Sequence, residues 1–174
     1  MTLEIRTDDL SSPAVRALVA AHLDAMHAQT PAESVHALGL SELQDAAVTV
    51  WTAWRDGDLA GVGALKRMDA ARGEVKSMRV APPHLGTGVG RALLRHIMAA
   101  SRERGLTSLW LETGSGAEFA AARGLYLSEG FTTCAPFADY TDDPLSSYFT
   151  RALVEPPATG GDAAETGTRA RSDR

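Results

Sequence analysis

The sequence predicts an α/β (α+β) fold: a mixed, mostly antiparallel central sheet with helices on both faces and a βαβ core. Two patterns predict it. Short runs of β-branched, aromatic and alternating apolar residues are bounded by turn residues, and apolar residues recur at helical spacing between them. The resulting order is β, α, α, β, β, β, α, β, α, β, β, for which a sheet covered on both faces is the natural architecture.

Residues 3–5 open as a short strand. Ser12-Pro13 signals a helix start, with Ser12 as cap and Pro13 in the first turn. Val15, Leu18, Val19, Leu23 and Met26 form its apolar stripe, His22 lies on the same stripe, and Pro31 stops it. Here a packed, hydrogen-bonded histidine is expected. Residues 38–45 form a second short helix. Residues 48–54 and 59–66 read as a hairpin around Asp56-Gly57, and 74–80 as the next strand. Trp51 and Trp54 face opposite sides, so at least one belongs to the core. Gly61 and Gly63 either weaken their strand or admit another backbone closely. After a Pro/Gly-rich loop, Val89, Leu93, Leu94, Ile97 and Met98 mark a helix that ends at Gly105. Residues 108–112 form a strand, 117–129 a helix stopped by Gly130, and 131–134 with 148–153 a closing hairpin. The connection from strand 74–80 to strand 108–112 is a right-handed crossover.

Composition narrows the function. The chain has 174 residues, 44% hydrophobic and 22% charged, with a formal net charge of −5. A net-negative chain is a poor candidate for a general nucleic-acid binder, because phosphate neutralisation needs clustered cations. No apolar run approaches the roughly 18–20 residues of a membrane helix. The N-terminus has no basic region followed by an apolar stretch, so a cytoplasmic protein is expected. Cys134 is the single cysteine, which excludes an internal disulfide. Cys134 has no basic neighbour to activate it and reads as structural. No His/Asp/Glu cluster has metal-ligand spacing, so no metal is expected. Residues 155–174 carry no large apolar side chain and read as a disordered tail, which leaves 1–154 as the domain.

The chemistry lies in EVKSMRVAPPHLGTGVGRALL, residues 74–94. A strand enters a loop with Gly86, Gly88 and Gly90, and a helix begins there. Glycines allow backbone N–H groups to converge on an anion, and the helix N-terminus adds its positive dipole end. No Gly-Lys-Ser/Thr follows, which excludes a Walker-type site. The spacing is not Gly-x-Gly-x-x-Gly and three strands precede it, which excludes the dinucleotide fingerprint.

Arg79-Val80-Ala81-Pro82 followed by Leu85-Gly86-Thr87-Gly88-Val89-Gly90, together with Leu125-Tyr126 before Gly130-Phe131, resembles the GNAT superfamily of acyltransferases. One departure is Leu85, where the family carries Gln or Arg. PAESVHAL (31–38), GALK (63–66), EVKSMRV (74–80), LETGSG (111–116) and FADYTDDPLS (137–146) resemble a bacterial branch called YsnE-like. The resemblance implies acetyl-CoA as co-substrate and an acetyl-CoA-binding βαβ core. It implies a cofactor-binding set of Met78, Arg79 and Val80 on the strand, and Leu85, Gly86, Thr87, Gly88, Val89, Gly90 and Arg91 on the loop and first helical turn. Main-chain groups of Met78 and Val80 would hold the acetyl carbonyl and pantetheine arm; N–H groups from Leu85 to Arg91 would hold the pyrophosphate. Arg91 either adds charge there or is solvated.

By the same resemblance Tyr126 occupies the general-acid position, although it also lies on an apolar stripe. Glu74 is a candidate general base or an exposed charge at a strand start. Glu112 is the rival carboxylate, at the C-terminal end of its strand, where open α/β sheets place their sites. His36 lies in a loop expected to cover the acceptor pocket. Lys66 and Lys76 either pair with a substrate carboxylate or cap their strands. The expected activity is acetyl transfer to the primary amine of a small molecule by direct attack in a ternary complex. The alternatives are a protein N-terminal acetyltransferase and a non-catalytic acyl-CoA sensor. A homodimer is left open.

Overall fold

The computed structural model describes residues 2–154. The boundary and tail expected at 155–174 therefore lie outside the described residues. One seven-stranded sheet runs β1-β2-β3-β4-β5-β7-β6. The strands are β1 (Leu3–Thr7), β2 (Val48–Arg55), β3 (Asp58–Arg67), β4 (Arg72–Val80), β5 (Ser108–Gly114), β6 (Thr132–Thr133) and β7 (Ser146–Ala152). The helices are α1 (Pro13–Gln29), α2 (Leu40–Leu43), α3 (Val89–Glu103) and α4 (Ala120–Ser128). Every pairing is antiparallel except β4 with β5, which α3 connects. This is the expected mixed, mostly antiparallel sheet with its βαβ core. Among the described residues no helix is long and apolar enough to cross a membrane.

The sheet carries a core on each face. On one, Val89, Leu93, Leu94, Ile97 and Met98 of α3 and Tyr126 of α4 pack on Trp51, Leu65, Val75, Leu109, Leu111 and Phe149. On the other, Val15, Leu18 and Val19 of α1 and Leu43 of α2 cover Val50, Val62 and Ala64. Trp51 is core on the α3 face, and Trp54 packs part-buried on the other. Gly61 and Gly63 admit α3: a Cβ at Gly63 would lie 3.1 Å from Ile97 and 2.7 Å from Met78 Sδ.

Several local expectations need correction. Ser12 takes the N-cap position, but its side chain makes no capping hydrogen bond. Residues 117–119 form a 3-10 turn before α4, closed by Phe119 N–H donating to the Gly116 carbonyl. The closing hairpin leaves β6 only two residues, and β7 lies between β5 and β6.

Candidate active site

A defect in β4 builds the site. Between the pairs Val62–Arg79 and Ala64–Lys76, Gly63 alone faces both Ser77 and Met78. Ser77 sits at φ +55°. This β-bulge bends its strand and resets the alternation of side chains. Val75 packs in the α3 core before the bulge, and Met78 and Val80 pack against it afterwards. Arg79 turns to the α1 face instead, beside His22. The expectation that Arg79 belongs with the cofactor set is corrected for its side chain, because the extra residue reverses its face.

Past the bulge the sheet opens. The parallel ladder joins only Arg72–Ser108, Gly73–Leu109 and Glu74–Trp110. Beyond it β4 and β5 diverge, and a cavity of about 730 Å³ fills the gap. Met78, Val80, Gly86, Gly88, Gly90, Leu125 and Tyr126 line one part. His22, His36, Glu74, Lys76, Ser77, Arg79 and Glu112 line another. The structure thus brings both predicted halves of the site into one opening.

The glycine loop has the conformation an anion cradle needs. Gly86 and Gly88 take φ +71° and +88°, and a Cβ on either would meet nothing within 4 Å. Gly88 is the N-cap of α3 and offers no side-chain cap. Among the described residues, the N–H groups of Gly86, Gly88, Val89, Gly90 and Arg91 make no hydrogen bond. Such unpaired donors at a helix N-terminus suit a diphosphate. Leu85 and Thr87 are corrected: their N–H groups donate to the carbonyls of Pro82 and His84, at 3.3 and 3.4 Å. Arg55 braces the loop by donating to Thr87 Oγ1 at 2.7 Å. Leu85 is 64% exposed, so its apolar side chain sits over the loop without closing it. Arg91 donates to Glu129, which also accepts from Arg95 Nε at 2.9 Å. Its charge is therefore already matched, and it ties α3 to the end of α4.

Tyr126 is 6% exposed, and burial raises its phenol above the usual range, so the hydroxyl stays protonated. Glu74 is 5% exposed, which corrects the expectation of an exposed charge. Its Oε1 accepts from Lys76 Nζ at 3.1 Å and from Tyr140 OH at 2.5 Å, and Lys76 also donates to Tyr140 OH at 2.8 Å. Glu112 is the freer carboxylate: burial pushes it up to about 7. His36 packs edge-on against Tyr140, at 4.9 Å between centroids, and burial lowers its pKa. His22 is held down to about 4, first by burial and then by Arg79. The expected hydrogen bond of His22 is absent at Nδ1, which has no partner among the described residues. Lys66 is exposed and off the site. Cys134 is a free thiol whose pKa burial raises.

Sequence reasoning missed Tyr140. It lies in the loop before β7, within FADYTDDPLS, where neither periodicity nor a catalytic motif marks it. Only its fold-dependent approach to Glu74 and Lys76 reveals it.

Known proteins place this geometry. A family model described as the acetyltransferase (GNAT) family matches residues 15–131. YedL of Escherichia coli (strain K12), an uncharacterized N-acetyltransferase, is 50% identical over 87% of this chain and 95% of its own. YsnE of Bacillus subtilis (strain 168), likewise uncharacterized, is 48% identical over 87% of this chain and all of its own (100%). A GNAT family acetyltransferase from Elizabethkingia anophelis, crystallised with acetyl-CoA bound, shares the fold. Its TM-score is 0.63 at 16% identity, covering 86% of this chain and 97% of that one. The family match runs from α1 through the glycine loop to the Gly130-Phe131 junction, and the chain belongs to the GNAT family as an acetyl-CoA-dependent N-acetyltransferase.

Proposed function

We propose that this enzyme acetylates the primary amine of a small molecule by direct attack, with both substrates held in the opening between β4 and β5. The observation that carries this reading is the continuity of that cavity. It joins the unpaired N–H groups of the glycine loop to a polar end floored by Glu74, Lys76 and Glu112.

Acetyl-CoA supplies a thioester whose carbonyl is open to an amine. The N–H groups of Gly86, Gly88, Val89, Gly90 and Arg91 bind its pyrophosphate. The main chain of Met78 and Val80, exposed by the strand divergence, holds the pantetheine arm and the acetyl carbonyl. Glu112 is the general base: a carboxylate near 7 is about half ionised at neutral pH and basic enough to take the proton the amine loses. Glu74 is instead a positioning residue, because Lys76 and Tyr140 already hold its oxygen. Tyr126 donates a hydrogen bond to the sulfur as the carbon–sulfur bond breaks. A phenol above 10 is a weaker acid than a thiol near ~8.5, so this hydrogen bond is its main contribution. The nitrogen–carbon bond forms and the carbon–sulfur bond breaks; Glu112 holds the proton lost by the amine and passes it to solvent, and water protonates the departing thiolate.

Two relatives named for small molecules support a small molecule over a protein N-terminus. One is streptothricin acetyltransferase of Streptomyces lavendulae, 41% identical over 45% of this chain; the other is mycothiol acetyltransferase of Beutenbergia cavernae, 39% over 52%. A silent sensor would not need a carboxylate held near 7 beside the cavity. Use of acetyl-CoA also fits the cytoplasm. Incubation of the purified chain with acetyl-CoA and a panel of small amines, following thiol release and product mass, tests the reading. Tight acetyl-CoA binding without transfer to any amine would overturn it.

A further inference from the structure

Four buried side-chain polar atoms have no hydrogen-bond partner among the described residues: His22 Nδ1, Ser77 Oγ, Arg79 Nε and Ser146 Oγ. Buried polar groups are rarely left so, and each needs a reason. Three of these share a place. His22, Ser77 and Arg79 line the cavity, and Ser146 pairs in register with Gly114, which also lines it.

Charge points the same way. Lys76 is matched by Glu74, and Arg91 by Glu129. Arg79 makes neither a salt bridge nor a hydrogen bond among the described residues. A guanidinium is always charged, and Arg79, part-buried on the cavity wall with its Nε shielded, has no anion beside it among the described residues. Arg79 lies on the α1 face, away from the Met78 and Val80 side chains, so it is poorly placed for the glycine loop's anion. Beside it stand an imidazole and a hydroxyl, both neutral donors and acceptors. One cation with two neutral partners suits a monoanion better than a phosphate.

We infer that the acceptor is an amine that also carries a carboxylate. Arg79 grips that carboxylate, Ser77 Oγ and His22 complete its hydrogen bonds, and the amine is left facing Glu112. The inference rests on the acetyltransferase reading above and names its substrate class. Bidentate arginine–carboxylate recognition supplies both charge and direction.

The test is calorimetric titration of the full chain, saturated with coenzyme A. The probes are the proteinogenic L-amino acids and short ω-amino acids, each against its own amide. At least one acid should bind with a millimolar or tighter Kd, and its amide roughly tenfold or more weaker. Arg79→Gln should bring the acid down to the level of the amide, and Arg79→Lys should keep part of the difference. Arg79→Gln should melt no lower than wild type, because it removes an unmatched charge. The inference fails if no acid binds, if acid and amide bind alike, if Arg79→Gln keeps the discrimination, or if that variant melts well below wild type. It also fails, with the acetyltransferase reading intact, if amines lacking a carboxylate are acetylated as fast as the best acid. Absence of transfer to any amine, with acid binding retained, would instead count against that earlier reading alone.

Discussion

Gly88→Asp separates conformation from charge at the glycine loop when it is set beside Gly88→Asn. Gly88 has φ +88° and open space where a Cβ would go, so neither substitution meets a steric clash. Both carry the cost of a left-handed non-glycine residue, roughly 1 kcal/mol. That lowers the melting temperature by about 2–4 °C in a chain of this size. Only aspartate adds a charge. A carboxylate about 5 Å from a phosphate, at an effective dielectric of ~20, feels about 3 kcal/mol of repulsion. That is about two powers of ten in Kd. Calorimetry with acetyl-CoA should therefore find Gly88→Asn within a few-fold of wild type and Gly88→Asp about 100-fold weaker. The gap should narrow as salt rises, because screening acts on the charge and not on the strain. Equal Kd values for the two variants would refute the anion cradle.

Three further outcomes test the chemistry. With Glu112 as base, the rate should fall about tenfold per pH unit below about 7, and Glu112→Gln should lose both that limb and roughly 10²-fold or more in kcat. Glu112 titrates higher folded than unfolded, so its burial cost grows as pH rises from 4.5 to about 7. Glu112→Gln should then melt higher than wild type at pH ~8, by at most about 3 kcal/mol, and alike at pH ~4. Tyr126→Phe keeps the ring and its packing, so the melting temperature should hold while kcat falls roughly 10²-fold; a wild-type rate would end its role. Lys76→Met leaves Glu74 buried without its cation and should cost about 3 kcal/mol in urea unfolding, most of it recovered by adding Glu74→Gln; an unchanged midpoint would refute that pairing.

The parts of the molecule written in local patterns were legible in the sequence. The stripe from Val89 to Met98 is buried as its spacing demands, and Gly86 and Gly88 adopt the backbone only glycine takes freely. What depends on long-range packing was not. Glu74 reads as a general base or an exposed charge beside Arg72-Gly73, and its hydrogen bond from Tyr140, 66 residues later, depends on the fold. Leu85 and Thr87 read as pyrophosphate donors, yet a local 3-10 turn takes their N–H groups. Arg91 reads as a phosphate contact or a solvated charge, and Glu129 at the end of another helix claims it. For Glu74 and Arg91 the partner is chosen by tertiary structure, which no local pattern encodes; for Leu85 and Thr87 it is a local turn three residues back.

The bulge at Ser77 is the clearest case, because it bears on both halves of the site. An unbroken β4 would carry Glu74, Lys76, Met78 and Val80 on one face. One extra residue sends Met78 and Val80 to the α3 core and Arg79 to the α1 side, near His22. It also bends β4 where its ladder with β5 ends. The divergence that opens the cavity and the turn of Arg79 away from the Met78 and Val80 side chains thus share one origin. Glycine would take φ +55° with the least strain, yet the position holds serine. Strain of this kind persists where the surroundings impose it and clusters at functional sites. The Ser77 hydroxyl is one of the four unpartnered atoms, three of them on residues that line the cavity. A glycine there would relieve the backbone and remove that hydroxyl. On the carboxylate proposal the serine is retained for its hydroxyl, and Ser77→Gly should then weaken acid binding while leaving the fold intact.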